Sequence, residues 1–328
     1  MQLHNHALIG AAAKIPVNPP TRVVSYSPAV LRCPDRLVDL ELRVSFPSTG
    51  ERLPIILLSH GQGRSNWLNS LEGYGPLANF WAGHGFVVIQ PTHLSSMSLG
   101  LLKNAVVGQE YFWQSRAQDM VVILDQLDVI EAAVPGLKGR LDKDRIAVAG
   151  HSLGGWTSSL LLGAKNTDPR DGSTVYIPEK RIKAGVIIGG TGNGGSDLSQ
   201  NARESFVPFY GPDFGEMRTP ALVVSGDEDV SPHLTVRGAD WHADPYTLAP
   251  GPKDLFIVKG AKHGLGGVSG WDTAESQDDE SPERLAAVQR MTWAYLKSQL
   301  DKEDGAWEQA CKALSELPEI GTVSSKLQ

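Results

Sequence analysis

One pentapeptide in the chain is built to hold a nucleophile on a turn: Gly150-His151-Ser152-Leu153-Gly154, a G-x-S-x-G sequence. Glycines two residues before and two after Ser152 permit the tight strand-to-helix turn that lifts a serine hydroxyl clear of a sheet. Such a pentapeptide is a weak signal alone and gains meaning from its flanks. Here the apolar run Ile146–Ala149 leads in, and Gly154-Gly155-Trp156-Thr157 leads out into a helical pattern. The bland reading is an ordinary strand–turn–helix in which Ser152 only caps the helix.

A serine hydroxyl is a poor nucleophile at neutral pH and needs a positioned base. Three histidines follow Ser152: His233, His242 and His263. His263 stands in Gly260-Ala261-Lys262-His263-Gly264, directly after the apolar run Leu255–Lys259, so a glycine-flanked loop can bring its ring over a sheet. His233, behind Pro232, and His242, in a charged insertion, are expected to face solvent or line a cap. An acid that orients the base is expected after the preceding run, Ala221–Ser225, where the chain reads Gly226-Asp227-Glu228-Asp229-Val230. Asp229 is the first candidate and Asp227 the second, because Asp227 is well placed to close the turn with its own side chain. Glu228 is expected at the surface. Two peptide N–H groups are candidates to stabilise an oxyanion: that of Leu153, and that of Gln62 in His60-Gly61-Gln62-Gly63, a glycine-rich loop after Ile55–Ser59.

The elements that must position these residues are legible as short apolar runs, each followed by a turn and a helical stretch. The runs are Ile55–Ser59, Phe86–Gln90, Arg145–Ala149, Ala184–Gly189, Ala221–Ser225 and Leu255–Lys259. Each is apolar without alternation, as a strand buried on both faces of a parallel sheet reads. Helices are expected over Gly75–Gly83, Tyr111–Ala132, Ser152–Leu162 and Pro282–Leu300. Leu37–Phe46 alternates like an antiparallel edge strand. This predicts an α/β class, a mostly parallel doubly wound sheet with an antiparallel start, in one domain over 1–328 with a core of about 35–300. Stretches 166–181, 190–219 and 231–252 break the alternation and are read as insertions that shape a pocket.

Of the 328 residues, 41% are hydrophobic and 20% charged, with 35 Gly and 21 Pro, which excludes a coiled coil, a collagen-like chain and a wholly disordered one. The net charge of −7, without a basic stripe, argues against nucleic acid or anionic lipid as the main partner. Cys33 and Cys311 alone make neither a disulfide framework nor a zinc site. No window approaches the ~18 apolar residues of a membrane span, and the apolar run Ala7–Ala13 has no basic residue before it. The expectation is a soluble cytoplasmic protein with no metal and no cofactor, its self-association left open. The glycines of Gly189–Gly195 lack the lysine ending of a phosphate loop and are read as a pocket loop. His151, His84 and His93 are read as structural, with His93 near the pocket. Trp67, Trp156, Phe206, Phe209, Tyr210 and Trp241 are candidates to line it.

Taken together, Ser59-His60-Gly61-Gln62-Gly63, Gly85-Phe86-Val87-Val88, Pro91-Thr92-His93, the Arg116…Asp119 helix and Gly150–Gly155 resemble the α/β-hydrolase superfamily. More narrowly, the chain resembles the branch that holds dienelactone-hydrolase-like, chlorophyllase-like and platelet-activating-factor-acetylhydrolase-like esterases. Where dienelactone hydrolases proper carry a cysteine nucleophile, this chain has Ser152. The resemblance implies a serine hydrolase acting on a small apolar ester or lactone through an acyl-enzyme. The candidate triad is Ser152, His263 and Asp229, and the candidate oxyanion hole is the N–H groups of Gln62 and Leu153. An amidase or peptidase of the same fold, or a non-catalytic binding protein that keeps the fold, are the alternatives.

Overall fold

A computed structural model describes residues 7–63, 65, 71–106, 109–270 and 279–327. The first half of the chain runs β1 (Val23–Leu31), β2 (Leu40–Pro47), β3 (Leu53–Ser59), α1 (Gly75–Gly83), β4 (Val87–Pro91), α2 (Trp113–Asp125), α3 (Leu127–Ala133), β5 (Leu141–His151) and α4 (Leu153–Leu161). The second half runs β6 (Lys165–Thr167), β7 (Thr174–Tyr176), β8 (Ile182–Ile188), β9 (Pro212–Asp213), β10 (Ala221–Gly226), α5 (Asp244–Thr247), β11 (Lys253–Val258), α6 (Pro282–Leu300), α7 (Ala306–Ser315) and β12 (Gly321–Lys326). Among the described residues the main sheet has nine strands in the order β1-β2-β4-β3-β5-β8-β10-β11-β12. The six strands from β4 to β11 are mutually parallel. β1, β2 and β12 pair antiparallel at the two ends. The molecule is therefore of the mixed α/β class with a mostly parallel sheet flanked by helices.

The unalternating apolar runs are what a sheet covered on both faces requires. Because successive side chains point to opposite faces, Ile56 and Leu58 of β3 join one core with α1, α6 and α7. Ile55 and Leu57 join the other with α2, α3 and α4. The helices have identifiable starts. Ser281 accepts the Arg284 N–H at 3.3 Å to cap α6, and Pro282 opens the helix where its missing N–H costs nothing. Across the first core the Trp81 indole donates to Thr292 Oγ1 at 3.1 Å, tying α1 to α6.

Several elements differ from the sequence reading. The helix expected over Tyr111–Ala132 is two, because Gln126 leaves helical geometry (φ −115°, ψ 20°) and α3 restarts at Leu127. Leu37–Phe46 does supply β2, but β1 covers its edge, so it is not an edge strand. The sheet reaches beyond the expected core of about 35–300 at both ends, through β1 and β12. β1 alternates poorly because most of it is exposed, which erased its signal. Within the insertions, β6, β7 and β9 form a second, three-stranded sheet.

Tight packing around the central turn can be tested. A Cβ on Gly154 would overlap the carbonyl oxygens of Ser59 and His60, and one on Gly150 would overlap the Gly154 carbonyl. On an open helix face Gly→Ala stabilises by up to about 1 kcal/mol, whereas overpacking costs about 1–3 kcal/mol. Backbone carbonyls cannot swing aside, so the second effect wins. Gly154→Ala is expected to lower the thermal midpoint by roughly 4 °C or more, read by calorimetry. A raised midpoint would mean that α4 does not lie this close to β3.

Candidate active site

The end of β5 turns into α4 through Ser152, whose backbone (φ 55°, ψ −121°) lies outside the regions that non-glycine residues favour. The neighbouring strand holds it there: Ser152 N–H donates to the Ile188 carbonyl at 2.9 Å. Ser152 is half-buried, and among the described residues its Oγ has no hydrogen-bond partner. Leu153 opens α4, so its N–H is one of the first-turn donors that no helical carbonyl can reach.

Asp229 follows β10 and is fully buried; His263 follows β11, with its side chain 39% exposed. His263 Nδ1–H donates to Asp229 Oδ2 at 2.9 Å and lies 3.1 Å from Oδ1, leaving Nε2 as the basic nitrogen. Burial pulls the His263 pKa down, but the Asp229 charge and hydrogen bond outweigh it and hold it above the ordinary histidine value. Burial would raise the Asp229 carboxyl, and the two histidines beside it reverse that, leaving it far below the usual carboxylate range. Gly189, at the end of β8, brings Ser152 and this pair together. A Cβ there would stand 3.4 Å from the His263 ring and 3.5 Å from Asp229 Oδ2, and Gly189 directly follows the Ile188 that holds Ser152. Asp227 is spent elsewhere: its Oδ1 accepts the Gly260 N–H at 2.5 Å and its Oδ2 pairs with Lys259 at 2.8 Å. Glu228 is exposed, as expected.

His242 corrects the sequence reading, which placed it in solvent or on a cap. It is 1% exposed, and its Nε2 lies 3.2 Å from Asp229 Oδ1 and 3.2 Å from Ser231 Oγ. Its Nδ1–H donates to the Gly190 carbonyl at 2.7 Å. The carboxylate is thus flanked by two imidazoles, and the second comes from an insertion with no periodicity to place it. Asp229, His242 and His263 could also offer a metal ion three ligand atoms, all within 4.8 Å of one another. In this arrangement His263 Nδ1 is already committed to Asp229 by a hydrogen bond.

On the other side of Ser152, a chain of hydrogen bonds fixes the main chain of the loop after β3, while the buried Gln62 Oε1 has no partner among the described residues. His93 N–H donates to His60 Nε2 at 3.1 Å, so His60 carries its proton on Nδ1 and donates it to the Gly61 carbonyl at 2.7 Å. A trans peptide is planar, so fixing the Gly61 carbonyl fixes the opposite direction of the Gln62 N–H. Gly61 N–H donates to Tyr74 Oη at 2.9 Å, and Tyr74 Oη–H donates to His151 Nδ1 at 2.8 Å. His151 Nε2–H then donates to the His263 carbonyl at 2.8 Å. Burial pushes the His151 pKa down to about 3, so this ring is a neutral link between the glycine-rich loop after β3, the serine turn and the histidine loop.

Beside Leu153 lies a wholly apolar cavity of about 30 Å³ whose lining includes Trp156, Phe209, Tyr210 and Trp241. Phe206 is not part of it, and Trp67 lies outside the described residues, as do His4 and His6. His84 and His93 are buried within the fold, and Cys33 and Cys311 are both free thiols. No helix among the described residues is long and apolar enough to cross a membrane. The chain matches no protein-family model, and no curated protein is significantly similar to it.

The two aspartates make a direct test. Asp229→Asn removes the charge that holds the His263 pKa up, so NMR titration of that imidazole should show it falling. Asp227→Asn should leave the titration in place and weaken only the turn. The reverse pattern would move the acid to Asp227.

Proposed function

We propose that the protein is a serine hydrolase of the α/β-hydrolase type that cleaves a carboxylic ester or lactone through an acyl-enzyme. The observation that carries this reading is convergence at the carboxyl ends of parallel strands, where open α/β sheets bind ligands. A serine on a strained turn after β5, an Asp–His pair after β10 and β11, and a glycine-rich loop after β3 meet there. In this reading Ser152 Oγ attacks the carbonyl carbon as His263 Nε2 takes its proton. Catalytic hydrogen bonds of this kind often tighten only when substrate is bound. Asp229 keeps the His263 proton on Nδ1 and stabilises the imidazolium. Negative charge on the carbonyl oxygen is met by the N–H groups of Gln62 and Leu153. His263 then protonates the leaving alcohol and activates water against the acyl-enzyme, which restores Ser152. The chemistry so written needs no cofactor.

Ser152→Ala is expected to fold normally and lose hydrolysis of p-nitrophenyl esters and aromatic lactones by on the order of 10⁶ in kcat, the scale for a triad nucleophile. A fluorophosphonate should label the wild type on the Ser152 peptide, located by mass spectrometry, and EDTA should not slow turnover. More than a tenth of wild-type activity in Ser152→Ala, or a chelator-sensitive and organophosphate-resistant activity, would overturn the reading.

The pH dependence follows from the direction of the His263 shift. The base must be neutral, so the rate is lost as pH falls through its pKa. Because that value is held above the ordinary ~6.5, the midpoint of the acid limb of kcat/KM should lie above ~6.5. A midpoint well below that would remove His263 as the base.

A further inference from the structure

We propose that Arg116 is the positioning residue for both oxyanion donors, its buried guanidinium holding the Gln62 loop on one side and the first turn of α4 on the other. The proposal rests on the hydrolase reading above. Arg116 lies on α2, is fully buried and has no carboxylate within ion-pair distance among the described residues. A buried cation with no carboxylate in direct contact, and only the more distant Asp119 charge to offset its burial, is costly, so its hydrogen bonds show what it is held for. Nη2 donates to the His60 carbonyl and to Ser59 Oγ, the latter at 3.2 Å. Nε donates to Thr157 Oγ1 at 3.1 Å, and Thr157 Oγ1–H donates to the Leu153 carbonyl at 3.1 Å. Nη1 donates to Ser95 Oγ at 2.6 Å.

Two of these arms end one peptide away from the donors. The His60 carbonyl belongs to the peptide before Gly61, whose N–H is pinned at its other end by Tyr74 Oη. That anchors the His60 ring, which in turn orients the Gly61–Gln62 peptide. The Leu153 carbonyl closes the residue whose N–H is the second donor. One rigid, planar fork therefore sets the spacing between two N–H groups that lie about ninety residues apart in the chain. Ser59 completes the support: its Oγ accepts from Arg116 and its O–H donates to His93 Nε2 at 2.9 Å. His93 Nδ1–H donates to Asp119 Oδ2 at 2.8 Å, and Arg36 Nε holds Asp119 Oδ1 at 2.9 Å. Ser59, His93 and Asp119 thus form a second Ser–His–Asp chain that is closed to solvent, its hydroxyl already committed.

The test compares Arg116→Lys, Arg116→Met and Thr157→Val with the wild type on a p-nitrophenyl ester, and measures inhibition by a trifluoromethyl ketone, whose tetrahedral adduct places an oxyanion in the hole. Misplacing donors weakens the transition state and spares the ground state, so Arg116→Met should lose roughly 10²-fold in kcat with KM little changed. The ketone should weaken by a similar factor. Lys has a single ammonium and cannot span both arms, so Arg116→Lys should remain well below wild type. Thr157→Val keeps the shape and removes only the Leu153 arm, so its loss should be smaller and of the same kind. A residue that merely stabilises the fold would lower the thermal midpoint and leave kcat and ketone affinity unchanged in folded protein, which would overturn the proposal. If Arg116→Met does not fold, Thr157→Val decides: unchanged kcat and unchanged ketone affinity overturn it. Absence of both ester turnover and fluorophosphonate labelling in the wild type would instead overturn the hydrolase reading itself.

Discussion

The backbone of Ser152 at φ 55°, ψ −121° is the constraint from which the surrounding architecture follows. A non-glycine residue in such a region costs on the order of 1–3 kcal/mol and persists only where its surroundings over-determine it. Here the turn is held by the Ile188 carbonyl on one side and by the Trp156 N–H on the Ser152 carbonyl at 3.1 Å on the other. Those bonds need α4 close against the sheet, and glycines at 150 and 154 allow it because a Cβ at either would overlap main-chain atoms. The same approach brings the loops after β3 and β8 alongside the serine, so the turn and the groups around it are one packing problem.

Histidine protonation divides the candidate site into buried supports and one exposed candidate base. His60, His93 and His151 are buried, and burial pulls each well below the ordinary histidine value. A neutral imidazole has one donor and one acceptor, and each of these rings uses both, which makes them directional links instead of bases. His263 is the exception, half-exposed and held up by Asp229. The contrast between the two Ser–His–Asp sets makes the same point. In the buried set, burial raises the Asp119 carboxyl to about 6 despite the nearby Arg36, and Arg116 occupies the serine oxygen. Around His263 the carboxylate stays charged, and the Ser152 hydroxyl has no partner among the described residues. Residue types are shared; exposure and partner charges separate the closed set from the candidate reactive one.

Much of the frame was readable in the chain. Apolar runs without alternation gave the parallel strands, since a strand covered on both faces has no polar side to show. Helices bounded by strong local signals, α1 and α6, were placed to the residue: Pro76 stands in the first turn of one and Pro282 in that of the other. The elements that escaped are those whose patterns do not encode their environment. β1 is mostly exposed, the strands of the small sheet are two or three residues long, and the α2–α3 break falls inside a continuous apolar periodicity.

What the sequence determined by itself was therefore the α/β class and the candidate residues Ser152, Asp229, His263, Gln62 and Leu153, each beside a strand end and a glycine that local rules recognise. It also ranked Asp229 ahead of Asp227, and the structure sets Asp229 on His263 while Asp227 closes the turn at Gly260. Tertiary structure alone decided the partners of His242, Tyr74, His151 and Arg116. The links from Gly61 through Tyr74 and His151 to His263 each span 13 to 112 residues of chain, and the partners of Arg116 come from the end of β3 and from α4. A buried polar group must find a hydrogen-bond partner wherever folding brings one. That requirement leaves no periodic trace in the sequence, and so it becomes visible only when the chain has folded.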